Sequence, residues 1–390
     1  MAPIPARSPS HRRRLRRRLT TSVVTLLCAG PIAACVAASP ATAAPPLPSP
    51  ALSPSPSPIG VHSMLYLDHP FSAKEAMFRA AAALGASTIR LDIALSGVFP
   101  TPGGPPDWSG VDQYMLLARR YRLRVLADLL ATPAYMAHCA TTAEEAISYR
   151  CAPADPGVWG HDAGLIAGHT RGVIDEFEII NEPDGSWFYG TPQQYARILS
   201  ASYRAIHAAD PNAVVVLGGL MDIAGHGWLE QVLATPGARA LHSFDIANIH
   251  VRTAAAQAAP TVLAWRRYLA RRGFRGPLWV TETGYPADPA WQTEPGYRDG
   301  PDSQARWLTT VIPAMLRAGA AMVFVTERDS LSGRYASEGV LQTPDPLPAD
   351  PSYTPRPSYY AVRALIQELA GRAGYRRIVA SPLRMMRLPF

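Results

Sequence analysis

Eight short apolar runs alternate along this chain with longer stretches whose apolar residues recur every three or four positions. No other feature limits the fold as strongly. Runs of this kind fit strands covered on both faces, and parallel strands need a crossover between them, usually a helix. The runs are Ile59 to His62, Thr88 to Ile93, Arg124 to Leu130, Phe177 to Ile180, Ala213 to Leu217, Phe244 to Val251, Leu278 to Thr283 and Ala321 to Thr326. After the first, Ser72-Ala73-Lys74-Glu75 reads as a helix-opening capping box. The stripe Ala76, Met77, Ala80, Ala81 and Leu84 follows, and Gly85 stops it. Asp112 to Tyr121 is a second helix. Thr191-Pro192-Gln193-Gln194 repeats the capping logic, with proline at the first helical position, ahead of Tyr195, Ile198, Leu199 and Ile206. Ser358 to Leu369 is the closing helix. The pattern predicts an α/β protein built as a single (β/α)8 TIM barrel. A doubly wound open sheet has the same rhythm. The lack of Gly-x-Gly-x-x-Gly after the first strand counts against its nucleotide-binding form.

The barrel is expected over residues 59–372, with a tail at 373–390. Residues 1–44 read as a signal segment. Arg12 to Arg18 supply a basic start, Leu19 to Ala38 an apolar stretch broken by Pro31, and Ala41-Thr42-Ala43 a small-residue cleavage site. Residues 45–58 are rich in Pro and Ser and form a linker that cannot build a core. Ile32-Ala33-Ala34-Cys35 resembles a bacterial lipobox. The expectation is therefore a protein that is secreted, or held at the cell envelope by a lipid on Cys35. A membrane partner is expected only in the second case.

The sequence pI of about 9.4 comes from the signal segment. Seven of the 37 basic residues lie there with no acid, so the remaining chain balances 30 basic against 30 acidic groups. Nothing in that balance suggests a nucleic-acid or anionic-membrane partner, and no nucleic acid is expected. Cys28 and Cys35 fall in the signal segment, leaving Cys139 and Cys151, which in an exported chain are expected to form a disulfide. No metal-ligand spacing is present, and no cofactor is expected.

Two of the predicted strands end in a glutamate. Asn181-Glu182-Pro183 follows Phe177 to Ile180, and Glu282 lies in Leu278-Trp279-Val280-Thr281-Glu282-Thr283-Gly284. In a parallel barrel the C-terminal ends of strands carry the chemistry. Two carboxylates there suit glycosidic bond cleavage, in which one carboxyl protonates the leaving oxygen and the other attacks the anomeric carbon. For a single strand-end glutamate, a structural ion pair with an arginine is the plainer reading.

Asn181-Glu182-Pro183 and Thr281-Glu282-Thr283-Gly284 resemble the acid/base and nucleophile motifs of the clan A glycoside hydrolases, in detail those of family 39, the β-xylosidases and relatives. The resemblance implies an exported retaining glycosidase acting on an oligo- or polysaccharide, with Glu182 as acid/base and Glu282 as nucleophile. It also implies that Arg90 lies beneath Glu282 and that Asn181 contacts a sugar hydroxyl. Glu178, of the same strand parity as Glu182 but one layer deeper, is expected to be structural. His250 stands where clan members often show His-x-Tyr, but the third position here is Arg252. Tyr285 is the candidate replacement for the missing tyrosine. Ile180 replaces a usual aromatic, and strand 8 ends Thr326-Glu327-Arg328-Asp329 without the usual tryptophan. Trp187 is a candidate sugar-stacking residue, as are Trp108, Tyr135, Tyr189, Trp291 and Tyr297. Asp68 and His69, after strand 1, are weaker candidates. Those departures leave a second expectation open, a non-catalytic carbohydrate-binding or cell-wall protein on the same barrel. The sugar, its linkage and the oligomeric state are not legible.

Overall fold

The computed structural model of the protein describes residues 57–221, 225–330, 333–344, 347–348 and 353–371. The expected signal segment, nearly all of the linker and the C-terminal tail lie outside these residues.

The strands are β1 (Ile59–His62), β2 (Thr88–Ala94), β3 (Arg124–Leu130), β4 (Glu176–Ile179), β5 (Val214–Leu217), β6 (Leu220–Met221), β7 (Ala247–His250), β8 (Leu278–Thr283) and β9 (Met322–Thr326). They form one parallel sheet in the order β5-β4-β3-β2-β1-β9-β8-β7-β6. The fifth expected strand is broken at Gly218-Gly219. Its first half, β5, pairs with β4 and bridges Val216 to Ile246, while its second half, β6, pairs with β7. The two edges are thereby joined, and the sheet is a (β/α)8 barrel.

Ten helices accompany the strands among the described residues: α1 (Phe71–Leu84), α2 (Leu95–Val98), α3 (Ser109–Tyr121), α4 (Thr142–Glu145), α5 (Pro156–Thr170), α6 (Pro192–Ala209), α7 (Gly225–Leu233), α8 (Ala255–Arg271), α9 (Pro301–Arg317) and α10 (Pro357–Gly371). The Thr191 capping box forms as expected, with Thr191 Oγ1 accepting from the Gln194 amide at 3.1 Å and Gln194 Oε1 accepting from the Thr191 amide at 2.8 Å. The Ser72 box does not form. Helix α1 starts two residues earlier, at Phe71, with Pro70 at the N-cap and no side-chain cap bond. The residues meant to complete that box are drawn to α3 instead. Glu75 accepts from Arg120 and Tyr121, and the buried Lys74 donates to Gln113 Oε1 at 2.9 Å.

Two apolar layers hold the barrel. The larger lies between sheet and helices, and the smaller fills the barrel's lower interior with Leu126, Val214, Val216, Ile246, Trp279, Met322 and Phe324. Above that plug the inward residues turn polar, which is where a barrel of this kind can hold a ligand. Beside the mouth, the loop after β3 is closed by a disulfide between Cys139 and Cys151. Thr132 Oγ1 donates to the Cys151 carbonyl, and the Tyr189 amide donates to the Arg150 carbonyl, so the loop is fastened on both sides.

Candidate active site

Inward-facing positions alternate along each strand, so Arg90 and Asp92 on β2 share a face, as do Glu176 and Glu178 on β4. In register, Asp92 pairs with Asp128 and Asp128 with Glu178, setting three carboxylates side by side on β2, β3 and β4. Arg90, fully buried, is their counter-charge. Its Nε donates to Glu178 Oε2 at 2.7 Å, and its Nη2 to Glu178 Oε1 at 3.0 Å and Asp128 Oδ2 at 3.1 Å. Upward, its Nη1 donates to Glu282 Oε1 at 2.9 Å and its Nη2 to Asn181 Oδ1 at 2.9 Å. Burial alone would weaken this guanidinium's hold on its proton, but Glu178, Asp128 and Glu282 raise its pKa well above the usual value. Asp128 differs. Burial pushes its carboxyl well above the ordinary range against the pull of Arg90, because that cation is already shared with Glu178.

Glu182 and Glu282 reach the mouth by two local distortions. After β4 the chain turns through Ile180 and Glu182 at φ 65° and 39°, a region that disfavours a β-branched residue and costs ~1–3 kcal/mol each. On β8, strict alternation from the inward Trp279 would send Glu282 outward. The pairing shifts register between Val280 and Thr283 on one side and at Ile249/His250 on the other, and this turns Glu282 inward. As a result an oxygen of Glu182, an oxygen of Glu282 and a ring nitrogen of His250 all lie within 4.8 Å of one another.

His250 links the pair. Its Nδ1 is 2.9 Å from Glu182 Oε1 and its Nε2 is 3.1 Å from Thr281 Oγ1. The Thr281 amide and hydroxyl both donate to Asn248 Oδ1, at 3.2 and 2.9 Å. The Thr281 hydroxyl hydrogen is therefore used, so His250 Nε2 is the donor and one proton lies between Nδ1 and Glu182. The ring fits only because residue 219 is glycine, since a Cβ there would sit 2.0 Å from Nε2.

Glu282 is held by more groups. Besides Arg90, Arg252 Nη1 lies 2.8 Å from its Oε2, His250 Nδ1 3.6 Å from Oε2, and His62 Nδ1 3.4 Å from Oε1. Burial favours the neutral acid, but His250, His62, Arg252 and Arg90 outweigh it and hold the carboxyl well below its ordinary pKa. His62 is itself pushed below its usual value by burial, with Glu282 opposing and Arg90 and Arg252 adding to the effect. Arg252 is tethered behind by the buried Glu338, whose Oε2 accepts from its Nε at 3.1 Å and from Thr326 Oγ1 at 3.2 Å. Gly284 makes room for that carboxylate, as a Cβ there would lie 2.4 Å from Glu338 Cγ.

The structure thus brings together Glu182, Glu282, Arg90, Asn181 and His250. Trp187 lies to one side, lining a cleft with Asn181, Thr132 and Tyr149, and the Arg150 guanidinium covers its ring at 4.4 Å. Tyr285 is not at the glutamates. Its hydroxyl donates to the Tyr297 carbonyl at 2.8 Å and its ring stacks on Trp307, because the chain after β8 turns outward toward α9. Tyr297 shares that packing, and Trp108 is stacked on His169. Among the remaining candidates, His69 Nδ1 accepts from the Tyr66 amide at 3.1 Å, Asp68 is exposed, and Trp291 and Tyr135 keep large exposed faces. Sequence reasoning named Arg252 only as a missing tyrosine and did not single out His62, Asn248, Thr281 or Glu338. The two-residue offset from His250 was the available signal for Arg252.

Glu182, His250 and Glu282 are close enough to share a cation. Arg90 and Arg252 already fill the acceptor directions of Glu282 with positive charge, which disfavours one.

No protein-family model and no curated protein matches the chain. Among solved structures, it is similar to a family 39 glycoside hydrolase from the gut symbiont Bacteroides cellulosilyticus WH2, at 18% identity and TM-score 0.61, over 81% of this chain and 65% of that one. The chain thus spans just under two thirds of that protein. A GH5_18 variant from Streptomyces cattleya, solved with Manβ1-4GlcNAc, matches at 18% identity and TM-score 0.61 over 81% of each chain. The exo-β-1,4-mannosidase Op5Man5 from Opitutaceae bacterium strain TAV5 matches at 15% identity and TM-score 0.57, over 83% of this chain and 60% of that one. At such identities the likeness speaks for architecture alone: the chain shares the (β/α)8 fold of these structures.

Proposed function

We propose that this protein is an exported glycoside hydrolase that cleaves O-glycosidic bonds with retention. The observation carrying the proposal is the Glu182–His250–Glu282 constellation, in which one oxygen of each glutamate and a ring nitrogen of His250 lie within 4.8 Å of one another. Retaining enzymes hold their carboxyl groups about 5–5.5 Å apart, whereas inverting ones need ~6.5–9.5 Å to admit a water. In this reading Glu282, kept ionised by its cationic surroundings, attacks the anomeric carbon and the glycosidic C–O bond breaks. Glu182 delivers the proton it shares with His250 to the leaving oxygen. It then takes a proton from the water that releases the sugar from Glu282. The basic and apolar start of the sequence and the disulfide support export. The sugar-bound neighbours on this fold support a saccharide substrate.

Arg252 favours a second reading, since with it both oxygens of Glu282 are engaged: Oε1 by Arg90, Oε2 by Arg252. A carboxylate so fully bonded is a weaker nucleophile, and the barrel would then bind sugar without turning it over. Kinetics on a panel of aryl glycosides separates the two. Glu282→Ala should be inactive on every glycoside. Glu182→Ala should keep activity on a dinitrophenyl glycoside, whose leaving group needs no proton, and azide should accelerate its second step. Loss of activity on all substrates in both variants without azide rescue would refute the role assignment. An inert wild type would favour the binding protein.

A further inference from the structure

Beside the groups that the proposed hydrolysis uses, the mouth holds one carboxylate without a task. Asp92 lies on β2, two residues beyond Arg90 and on the same inward face, in register with Asp128. It is only 7% exposed, yet among the described residues no hydrogen bond or ion pair reaches its side chain. Its neighbours are otherwise engaged. Arg90 is spent on Glu178, Asp128, Glu282 and Asn181, and Asp128 Oδ1, adjacent in register, is also a buried acceptor without a donor. Buried acceptors are normally satisfied, and one left open at the mouth of a site is an acceptor for a ligand's donors. Burial, with Glu282 and Glu178 adding to it and Arg90 opposing, pushes the Asp92 carboxyl up to about 7, so it is poised near ionisation at neutral pH.

The sheet order gives the direction in which those donors lie. Between β4, which leads to Glu182, and β8, which carries Glu282, one arc of the barrel runs through β3, β2, β1 and β9, and Asp92 sits in its middle. A sugar ring with its anomeric carbon between the two glutamates and its far edge over that arc would bring those donors to Asp92.

We infer that Asp92 is a substrate-binding residue that accepts hydrogen bonds from ring hydroxyls remote from the anomeric carbon, and that the sugar bound there is neutral with those hydroxyls free. The inference rests on the glycosidase reading and deepens it. A uronate or sulfate at that edge would meet the Asp92 carboxylate and be repelled, and an O-substituted hydroxyl would have no hydrogen to donate.

The test uses the best aryl glycoside from the panel and its analogues lacking one hydroxyl each. A hydrogen bond to a charged acceptor corresponds to roughly a ten- to hundredfold effect. Asp92→Ala should lower kcat/KM by that factor on the parent glycoside. One deoxy analogue should cost the wild type as much while costing Asp92→Ala little further. Asp92→Asn, which keeps the shape, should fall between, with an unchanged Tm at pH 7 as its folding control. Equal losses on the parent and on every deoxy analogue would overturn the contact, as would an unchanged Asp92→Ala. If the wild type hydrolyses nothing, the hydrolase reading fails separately. Calorimetric binding of the same glycosides then decides, weaker binding by Asp92→Ala supporting the assignment and equal or absent binding in both proteins overturning it.

Discussion

Replacing Arg90 with methionine tests how far the site is held by one cation. The side chain is 1% exposed and makes four hydrogen bonds to three carboxylates and a fifth to Asn181. Methionine fills much the same volume, so the cost lies in the carboxylates left behind rather than in a cavity. Removing one partner of a buried ion pair costs ~3–5 kcal/mol. With Glu178, Glu282 and Asp128 served by one guanidinium, about 5 kcal/mol is expected at pH 7.5. For a domain of roughly 300 residues, at a melting entropy of ~2.1 cal/mol/K per residue, that is a fall in Tm of about 8 °C. Urea unfolding followed by tryptophan fluorescence and calorimetry should both show it. Part of the loss is Glu282's own. Its folded pKa is depressed, so its contribution is present above the unfolded value and disappears as pH falls through the folded one. The gap between wild type and Arg90→Met should therefore shrink as the pH is lowered below about 4.5. Arg90→Lys, which keeps the charge but not the fork, should fall between. A two-state Arg90→Met within 1 kcal/mol of wild type would refute this account of the hub.

Two further predictions concern stability. The Cys139–Cys151 disulfide spans a sequence separation of 12, so Cys139→Ser with Cys151→Ser should cost about 3 kcal/mol by chain entropy, and unreduced mature protein should titrate no free thiol. Glu327 is buried, accepts from Ser63, and is pushed by burial up to about 8, with Ser63 and Arg328 opposing. Its folded pKa lies above its unfolded one, so folding holds a proton that unfolding releases, and stability should decline as pH rises from about 4.5 to 8. Glu327→Gln should remove that decline, gaining up to about 5 kcal/mol over wild type by pH 9 in urea titrations; parallel pH curves would refute it.

The barrel and its ring of strand ends were legible because continuous apolar runs and period-3.6 stripes are set by burial, which the order of residues records directly. The same rules failed wherever backbone geometry left the ideal. Nothing in Leu278 to Thr283 announces the register shifts that turn Glu282 inward, and alternation read literally would have faced it toward the helices. Ile180 at positive φ has no glycine or asparagine to mark it. Ser72 and Glu75 were the right capping residues, but Lys74 and Glu75 pack against α3 and the helix starts two residues earlier. Tyr285 was placed by nearness in sequence to Glu282, whereas two residues past a strand end the chain already runs outward. Arg252 was visible as a departure, but its contact with Glu282 depends on where Glu338 stands, 86 residues on.

Glu338 bears on how a nucleophile can tolerate two arginines. In the proposed double displacement Glu282 forms an ester with the sugar and loses its negative charge. Any arginine bound to it alone would then be an unpaired buried cation, and the intermediate would carry that cost. Neither arginine is in that position. Arg90 keeps Glu178 through two bonds of 2.7 and 3.0 Å, and Arg252 keeps Glu338 through one of 3.1 Å. Each cation therefore has a second carboxylate deeper in the protein to hold it while Glu282 is esterified, and each is in place when the charge returns. The contacts of Glu182 are of another kind. Among the described residues its side-chain partner is His250, with which it shares a proton, and no guanidinium bonds it directly. An anion needed as a nucleophile is surrounded by cations with other partners, and a carboxyl needed as an acid is coupled to a proton. That asymmetry supports the proposed roles in the same direction as the order of the motifs, from contacts that the motifs do not contain.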